Sequence, residues 1–140
     1  MRSLTDTMKL VIELSSLHTH ILKRIEQQLS IHGISFTEWM VMHRLYAAPK
    51  ATMRRIDLAE SVGLSASVVT RLLQPMEKLH LVEKESNPRD ARVSLVRLST
   101  TGKTLYQDAF TSCRQSAESL AEPLTKKQLA SFLELIRTLQ

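Results

Sequence analysis

The stretch Leu58 to Gly102, LAESVGLSASVVTRLLQPMEKLHLVEKESNPRDARVSLVRLSTTG, decides how this chain folds. Its first part has the spacing of two short helices around a tight turn. Leu58 and Ala59 close one apolar face, and the small Ala59 allows a near approach. Gly63 supplies the positive φ that the turn demands, and Leu64 tucks in behind it. A second helix opens on Ser65 and is expected to bury Val68, Val69, Leu72 and Leu73. The other side chains of that helix, Ser65, Ala66, Ser67, Thr70, Arg71 and Gln74, then face outward. They are small or hydrogen-bonding, with one Arg, which suits a surface that approaches phosphates and base edges. The arrangement is a helix-turn-helix, whose second helix lies in the DNA major groove.

Beyond this helix, Leu81–Glu85 and Val93–Leu98 have the alternation of two short strands. Between them, Ser86-Asn87-Pro88-Arg89-Asp90-Ala91-Arg92 carries turn chemistry and two Arg residues around one Asp. An Arg-bearing hairpin beside a helix-turn-helix makes a winged helix, and a wing reaches the minor groove, whose negative potential attracts guanidinium. Asp90 alone would repel phosphate. Between Arg89 and Arg92 it is expected to fix their geometry, because a bidentate carboxylate–guanidinium pair stiffens a flexible side chain. Arg54 and Arg55, just before the first helix, are expected to flank the DNA backbone. They have the wrong sign for that helix's dipole.

Three segments together, Leu64-Ser65-Ala66-Ser67-Val68-Val69-Thr70-Arg71, Asp90-Ala91-Arg92 and Leu98-Ser99-Thr100-Thr101-Gly102, resemble the signature of the MarR family of bacterial transcription regulators. The D-x-R wing followed at this interval by L-[ST]-x-x-G is the more specific part. The resemblance implies a homodimer that binds a pseudo-palindromic operator in double-stranded DNA and is often released by a small-molecule effector. It also implies that Arg92 is the wing-tip residue of the minor groove and Asp90 its orienting partner. Pro75, inside the recognition helix, is a mild departure that removes an amide hydrogen bond.

Working outward, the flanks read as helices. Residues 4–31 carry Leu4, Met8, Val11, Leu22, Ile25 and Leu29 on one seam, widened by Ile12, Leu14, Leu17 and Ile21. A helix apolar over so much of its girth is expected to contact both its own domain and another chain. Gly33 stops it, and Ser35-x-x-Glu38 opens the next helix as a capping box, ending before Pro49. Thr52–Arg54 is placed as a third, short strand. After the wing, a long helix from Ser99 or Thr100 to about Ala121 is expected to turn Leu105, Ala109, Phe110, Cys113, Ala117 and Leu120 inward. Pro123 breaks it, and Thr125-x-x-Gln128 caps a last helix with Leu129, Phe132, Leu133, Ile136 and Leu139 on its apolar face. The fold class expected is therefore mainly α with a small β-wing in one unit of residues 1–140. Residues 34–98 form the winged helix-turn-helix, while 1–33 and 99–140 supply dimerisation helices.

Composition sets wider bounds. The chain has 140 residues, enough for one domain with a real core, and scarce Gly and Pro that favour long helices. A formal net charge of +5 permits a polyanionic partner without naming one. A single cysteine excludes an intrachain disulfide framework, and no apolar run has the length of a membrane span, so a cytoplasmic location with no membrane partner is expected. Gly-rich phosphate loops, H-E-x-x-H and G-x-S-x-G are all missing, so the chain does not read as an enzyme and implies no cofactor. His18 and His20 diverge on their helix and His43 has no His or Cys at i+4, so no metal site is assigned. Cys113, on an apolar helix face, reads as an inert thiol. Trp39, Tyr46, His18 and His43 are candidates for an effector pocket where the first two helices meet the winged part. The two rings offer flat faces, and the histidines offer hydrogen bonds or, when protonated, a charge for a carboxylate. Two alternatives stand beside this: a winged-helix module for protein contacts without DNA binding, and a redox- or metal-responsive regulator of the same fold.

Overall fold

Every long α-helix of the chain opens on a hydroxyl cap, and only the short α-helix Arg55–Val62 starts without one among the described residues. The computed structural model describes residues 2–140 and all their side chains but that of Ala91; Met1 lies outside them. Thr5 caps α1 (Asp6–Leu29), which runs into a single 3₁₀ turn and stops at Gly33 in the left-handed region. Ser35 and Glu38 form a complete capping box at α2 (Phe36–Ala47). The strand β1 (Thr52–Arg54) leads into α3 (Arg55–Val62), Gly63 turns the chain at φ 71°, and Ser65 caps α4 (Ala66–Lys78). The wing is β2 (Val82–Asn87) and β3 (Asp90–Leu98). Ser99 caps α5 (Thr100–Ala121), and a second full capping box, Thr125 with Gln128, opens α6 (Lys126–Thr138). The three strands form an antiparallel sheet in the order β1-β3-β2.

The core lies under the winged half. Leu29, Val41, Met42, Leu45, Leu58, Val69, Leu73, Met76, Val82, Val96 and Leu98 are fully buried and belong to one cluster. Within α4 the inward row is Val69, Leu73 and Met76; Val68 and Leu72, expected inside, are only half-buried. Pro75 is exposed and α4 continues through it to Lys78. The L-S-x-x-G motif has a packing reason. Ser99 binds the Leu81 carbonyl through its backbone N–H (3.0 Å), and its hydroxyl accepts from the Gly102 amide (2.9 Å). A Cβ on Gly102 would overlap the Leu81 carbonyl oxygen and lie 2.6 Å from Leu98 Cδ1. Only glycine lets α5 start this close to the wing.

Two expectations need correction, at the wing and at α5. The wing strands run further toward the tip than expected, leaving Pro88-Arg89 as the turn and putting Asp90 and Arg92 on β3. The buried row of α5 is Gly102, Tyr106, Ala109, Cys113 and Ser116, with Ser112 beside it; Phe110 and Ala117 are exposed. Small and polar residues are inside because α1 packs against this face, and bulkier side chains would hold it off. His32 Nε2 lies 2.9 Å from Ser112 Oγ, and Arg24 donates to Ser119 across the same contact. Finally, of the α1 seam only Ile25 and Leu29 are buried, and Leu4, Met8 and Val11 stand exposed, as do Leu129, Phe132, Leu133, Leu135 and Leu139 at the other chain end.

Candidate nucleic-acid interface

The recognition helix presents Ser67, Arg71 and Gln74 exposed on one side, and Arg71 has no ion-pair partner among the described residues. Ser65 is committed to the cap: its hydroxyl accepts from the Val68 amide (3.3 Å) and lies 3.2 Å from Ser67 Oγ. Thr70 is less free than the sequence suggests. It donates to the Ala66 carbonyl (2.9 Å) and accepts from Arg55 Nη1 (3.2 Å).

At the wing, the Asn87 side chain accepts from the Arg89 amide (2.8 Å), closing the turn and leaving the Arg89 side chain in solvent. Asp90 and Arg92 meet as a forked pair. Asp90 Oδ1 accepts from the Arg92 amide (3.0 Å) and Nε (3.2 Å), and Oδ2 accepts from Nη2 (3.4 Å). These bonds, with help from the nearby Arg54 charge, hold the Asp90 carboxyl below its ordinary value. The Arg92 side chain is itself 91% exposed, so it is oriented and still reachable. The ladder is irregular beside this pair. Ser86 pairs with Ser94, then Asn87 pairs with Asp90, so β3 bulges between them.

A groove of about 270 Å³ joins the two elements, lined by Arg54, Arg55 and Ile56 at the head of α3, Ala66 at the head of α4, and Arg92, Val93 and Ser94 of the wing. Three guanidinium-bearing residues and no carboxylate line it, which makes it a seat for a polyanion's backbone. Arg97, by contrast, is neutralised by Glu83 and by Glu85 (3.0 Å).

The four effector-pocket residues are not all brought together. Trp39 stacks on His43 (centroids 5.4 Å apart), and Tyr46 lies beside them through Tyr106, which is 5.3 Å from Trp39 and 4.6 Å from Tyr46. His18 stands elsewhere, in a groove between α1 and α6 with Leu14, Leu17, Ile21, Phe132 and Ile136. Burial, then the Arg44 charge, lowers the His43 pKa, which favours the neutral imidazole over the cation considered for a carboxylate. Its Nδ1 is 2.8 Å from the Tyr106 hydroxyl. Tyr106 is the residue that sequence reasoning misses. Its signal is the 4-3-4-3 spacing of Gly102, Tyr106, Ala109, Cys113 and Ser116, hidden by the more apolar residues one step along. Trp39 Nε1 is buried and has no acceptor among the described residues. Among those residues no group of three or more His, Cys, Asp or Glu is placed to hold a metal ion, and no helix is long and apolar enough to cross a membrane.

A helix-turn-helix followed by an Arg-tipped hairpin, flanked by long helices from both chain ends, defines a winged helix-turn-helix protein. The MarR family model matches residues 32–93, from the end of the first helix to the wing. Over those residues the chain matches the MarR family of winged-helix transcription regulators. It is 21% identical over 131 residues to the HTH-type transcriptional regulator MhqR of Bacillus subtilis (strain 168), covering 94% of this chain and 89% of that one. Among solved structures it is similar to Sco3205, a MarR family transcriptional regulator from Streptomyces coelicolor in complex with DNA. The TM-score is 0.89 at 21% identity, covering 99% of this chain and 89% of that one. BpsR of Bordetella bronchiseptica, whose DNA binding is regulated by 6-hydroxynicotinic acid, matches with a TM-score of 0.85 at 15% identity, over 94% and 98% of the two chains.

Proposed function

We propose that this protein is a homodimeric repressor that binds a pseudo-palindromic operator, with residues 34–98 gripping the DNA and residues 1–33 and 99–140 joining the two copies. The observation that carries this is the groove shared by α3, α4 and the wing. It is lined by Arg54 and Arg92, the recognition helix that borders it exposes Ser67, Arg71 and Gln74, and Arg89 is exposed at the wing tip. The exposed apolar faces of α1 and α6 supply the contact between copies. Two-fold symmetry then sets two major-groove half-sites roughly 10 base pairs apart. Selection of duplexes from a random pool is expected to return a two-fold motif, with affinity falling steeply as salt rises. Return of no enriched sequence, with no binding at low salt, would remove the DNA-binding role and leave the protein-contact module. Transcription from the protein's own upstream region, measured with and without added protein, tests repression; a rise in transcript would make it an activator.

The same reading includes release by a small aromatic or phenolic acid at the joint of α2 and α5. Two things support it: the regulation of BpsR by 6-hydroxynicotinic acid, and the buried Trp39 Nε1 donor that lacks an acceptor beside His43, Tyr46 and Tyr106. A ligand releases DNA only if it favours the arrangement that does not fit the operator. Quenching of Trp39 fluorescence by aromatic carboxylates, lost in His43→Ala, is the expected result. Release of DNA that is unchanged by His43→Ala would move the effector site elsewhere.

A further inference from the structure

The outer half of the wing is held by very little. Leu98 and Val96 of β3 are buried in the core, and Ser94, next on the same face, is polar and only half-buried. Beyond it the ladder bulges and the hairpin carries Asp90 and Arg92 into solvent. At this point Arg55, the first residue of α3, reaches across. Its Nη2 donates to Ser94 Oγ (3.0 Å) and its Nη1 to Thr70 Oγ1 (3.2 Å), so one guanidinium bridges the wing and the recognition helix. The bridge is anchored at its far end, since the Thr70 hydroxyl donates in turn to the Ala66 carbonyl. Arg55 Nε is buried and meets no acceptor, and no carboxylate pairs with Arg55 among the described residues. The side chain is held by two neutral hydroxyls on the two elements that face DNA.

We propose that Arg55 is a positioning residue, a clamp that fixes the wing against the recognition helix so that minor-groove and major-groove contacts form together. This rests on the DNA-binding role proposed for the chain but changes the part Arg55 plays in it, from a charge that touches phosphate to a fork that ties two elements. The chemistry favours arginine: its planar fork presents separate donors in two directions, whereas a lysine ammonium keeps the charge but is a single point. The clamp lowers the cost of binding by ordering the wing beforehand.

The test uses the full-length protein and a duplex that the wild type selects from a random pool. Arg55→Lys and Ser94→Ala are each expected to weaken binding by roughly tenfold, the weight of one hydrogen bond to a charged group. The dependence of affinity on salt should stay unchanged, because no phosphate contact is lost. In the Arg92→Ala background both losses should shrink, since a misplaced wing matters less once its contact has gone. A phosphate contact gives the opposite set: Arg55→Lys binds like wild type, Arg55→Ala lowers the salt slope by about 0.9, and losses add to that of Arg92→Ala. That set, or full affinity in Ser94→Ala, overturns the clamp. Ser94→Ala loses only a hydroxyl, so it decides the matter even if changes at Arg55 lower the melting temperature. Selection of no duplex at all would instead overturn the DNA-binding role on which the clamp depends.

Discussion

Helices α4 and α6 are each thirteen residues long, and both are amphipathic, yet α4 fully buries Val69, Leu73 and Met76 while α6 buries nothing. The difference lies in what their own chain offers. Around α4 the sheet, α2 and α3 close one cluster over its inner row. Helix α6 shares a groove with Leu14, Leu17 and Ile21 of α1, yet both helices leave apolar side chains in solvent, with Val11 at 64% and Leu135 at 66% of full accessibility. The winged half closes a core within one chain, while the chain ends leave apolar faces uncovered. Each large apolar side chain moved out of water is worth about 1.5–3 kcal/mol, so both ends hold a stabilisation that only another surface can realise.

The largest effect is expected from breaking the ends. Phe132 lines the α1–α6 groove and also a second groove on α6 with Leu124, Gln128 and Leu135. In the proposed dimer Phe132→Asp would take an apolar side chain out of each copy's contact and put a carboxylate in its place, costing at least about 3–6 kcal/mol. Sedimentation should show a monomer whose near-UV signal from Trp39 survives and whose operator binding has collapsed. A variant that stays dimeric, or that loses its tertiary signal, would show that ends and core are not separable.

Next comes a change confined to the core. Gly102→Ala forces a methyl group against the Leu81 carbonyl and Leu98, and overpacking of this kind costs about 1–3 kcal/mol. Urea unfolding at a fixed protein concentration should give a lower midpoint, with self-association unaltered at low denaturant. An unchanged midpoint would mean that α5 can shift along the wing, and the close approach would not matter.

The same contrast governs what is legible in the sequence. Capping boxes at Ser35 and Thr125, the Gly63 turn and the third strand at Thr52–Arg54 are local events with local signals, and they appear where expected. The inner face of α5 escapes a reading by hydrophobicity because its rule is fit to α1: Ser112 and Ser116 are buried where Phe110 and Ala117 are not. The α1 seam is legible as apolar, but one chain buries only its last two positions. At the candidate interface the Asp90–Arg92 pair is legible, since the partners lie two residues apart. The Arg55 bridge is not, because Thr70 and Ser94 are fifteen and thirty-nine residues away. His18 and Trp39 are alike only in the chemistry they offer a ligand, and the fold separates them.

A smaller effect is expected at the tip of the wing, which belongs to neither the buried core nor the ends. Asp90→Ala frees the Arg92 guanidinium and removes a negative charge from the DNA-facing side. If orientation dominates, operator affinity falls by roughly tenfold, of the order of one charge-assisted hydrogen bond. If plain charge dominates, affinity rises, and the orienting role is lost. The pH dependence sharpens the choice. Because Arg92 holds the Asp90 carboxyl below its ordinary value, the pair is intact throughout the neutral range. It opens only as pH falls below the usual Asp range and through that lowered value, so wild-type affinity should not change on this account between pH 6 and pH 8.

The smallest expected effect is an absence of change, at Cys113, where α5 passes from the core toward the ends. The thiol is 7% exposed within a single chain, and burial pushes its pKa up to about 11. Thiolate is the reactive form, so at pH 7.5 only a trace of it is present, and reagent must also reach a covered sulfur. Labelling by a thiol reagent should therefore be slow in the native protein and fast in urea. The informative comparison is with Phe132→Asp. If the shield belongs to the chain's own core, the monomer protects Cys113 as well as the dimer does. Fast labelling of the folded monomer would instead mean that the partner covers the thiol. The boundary between the closed half and the uncovered ends would then lie further up α5 than Cys113, nearer to Ala109.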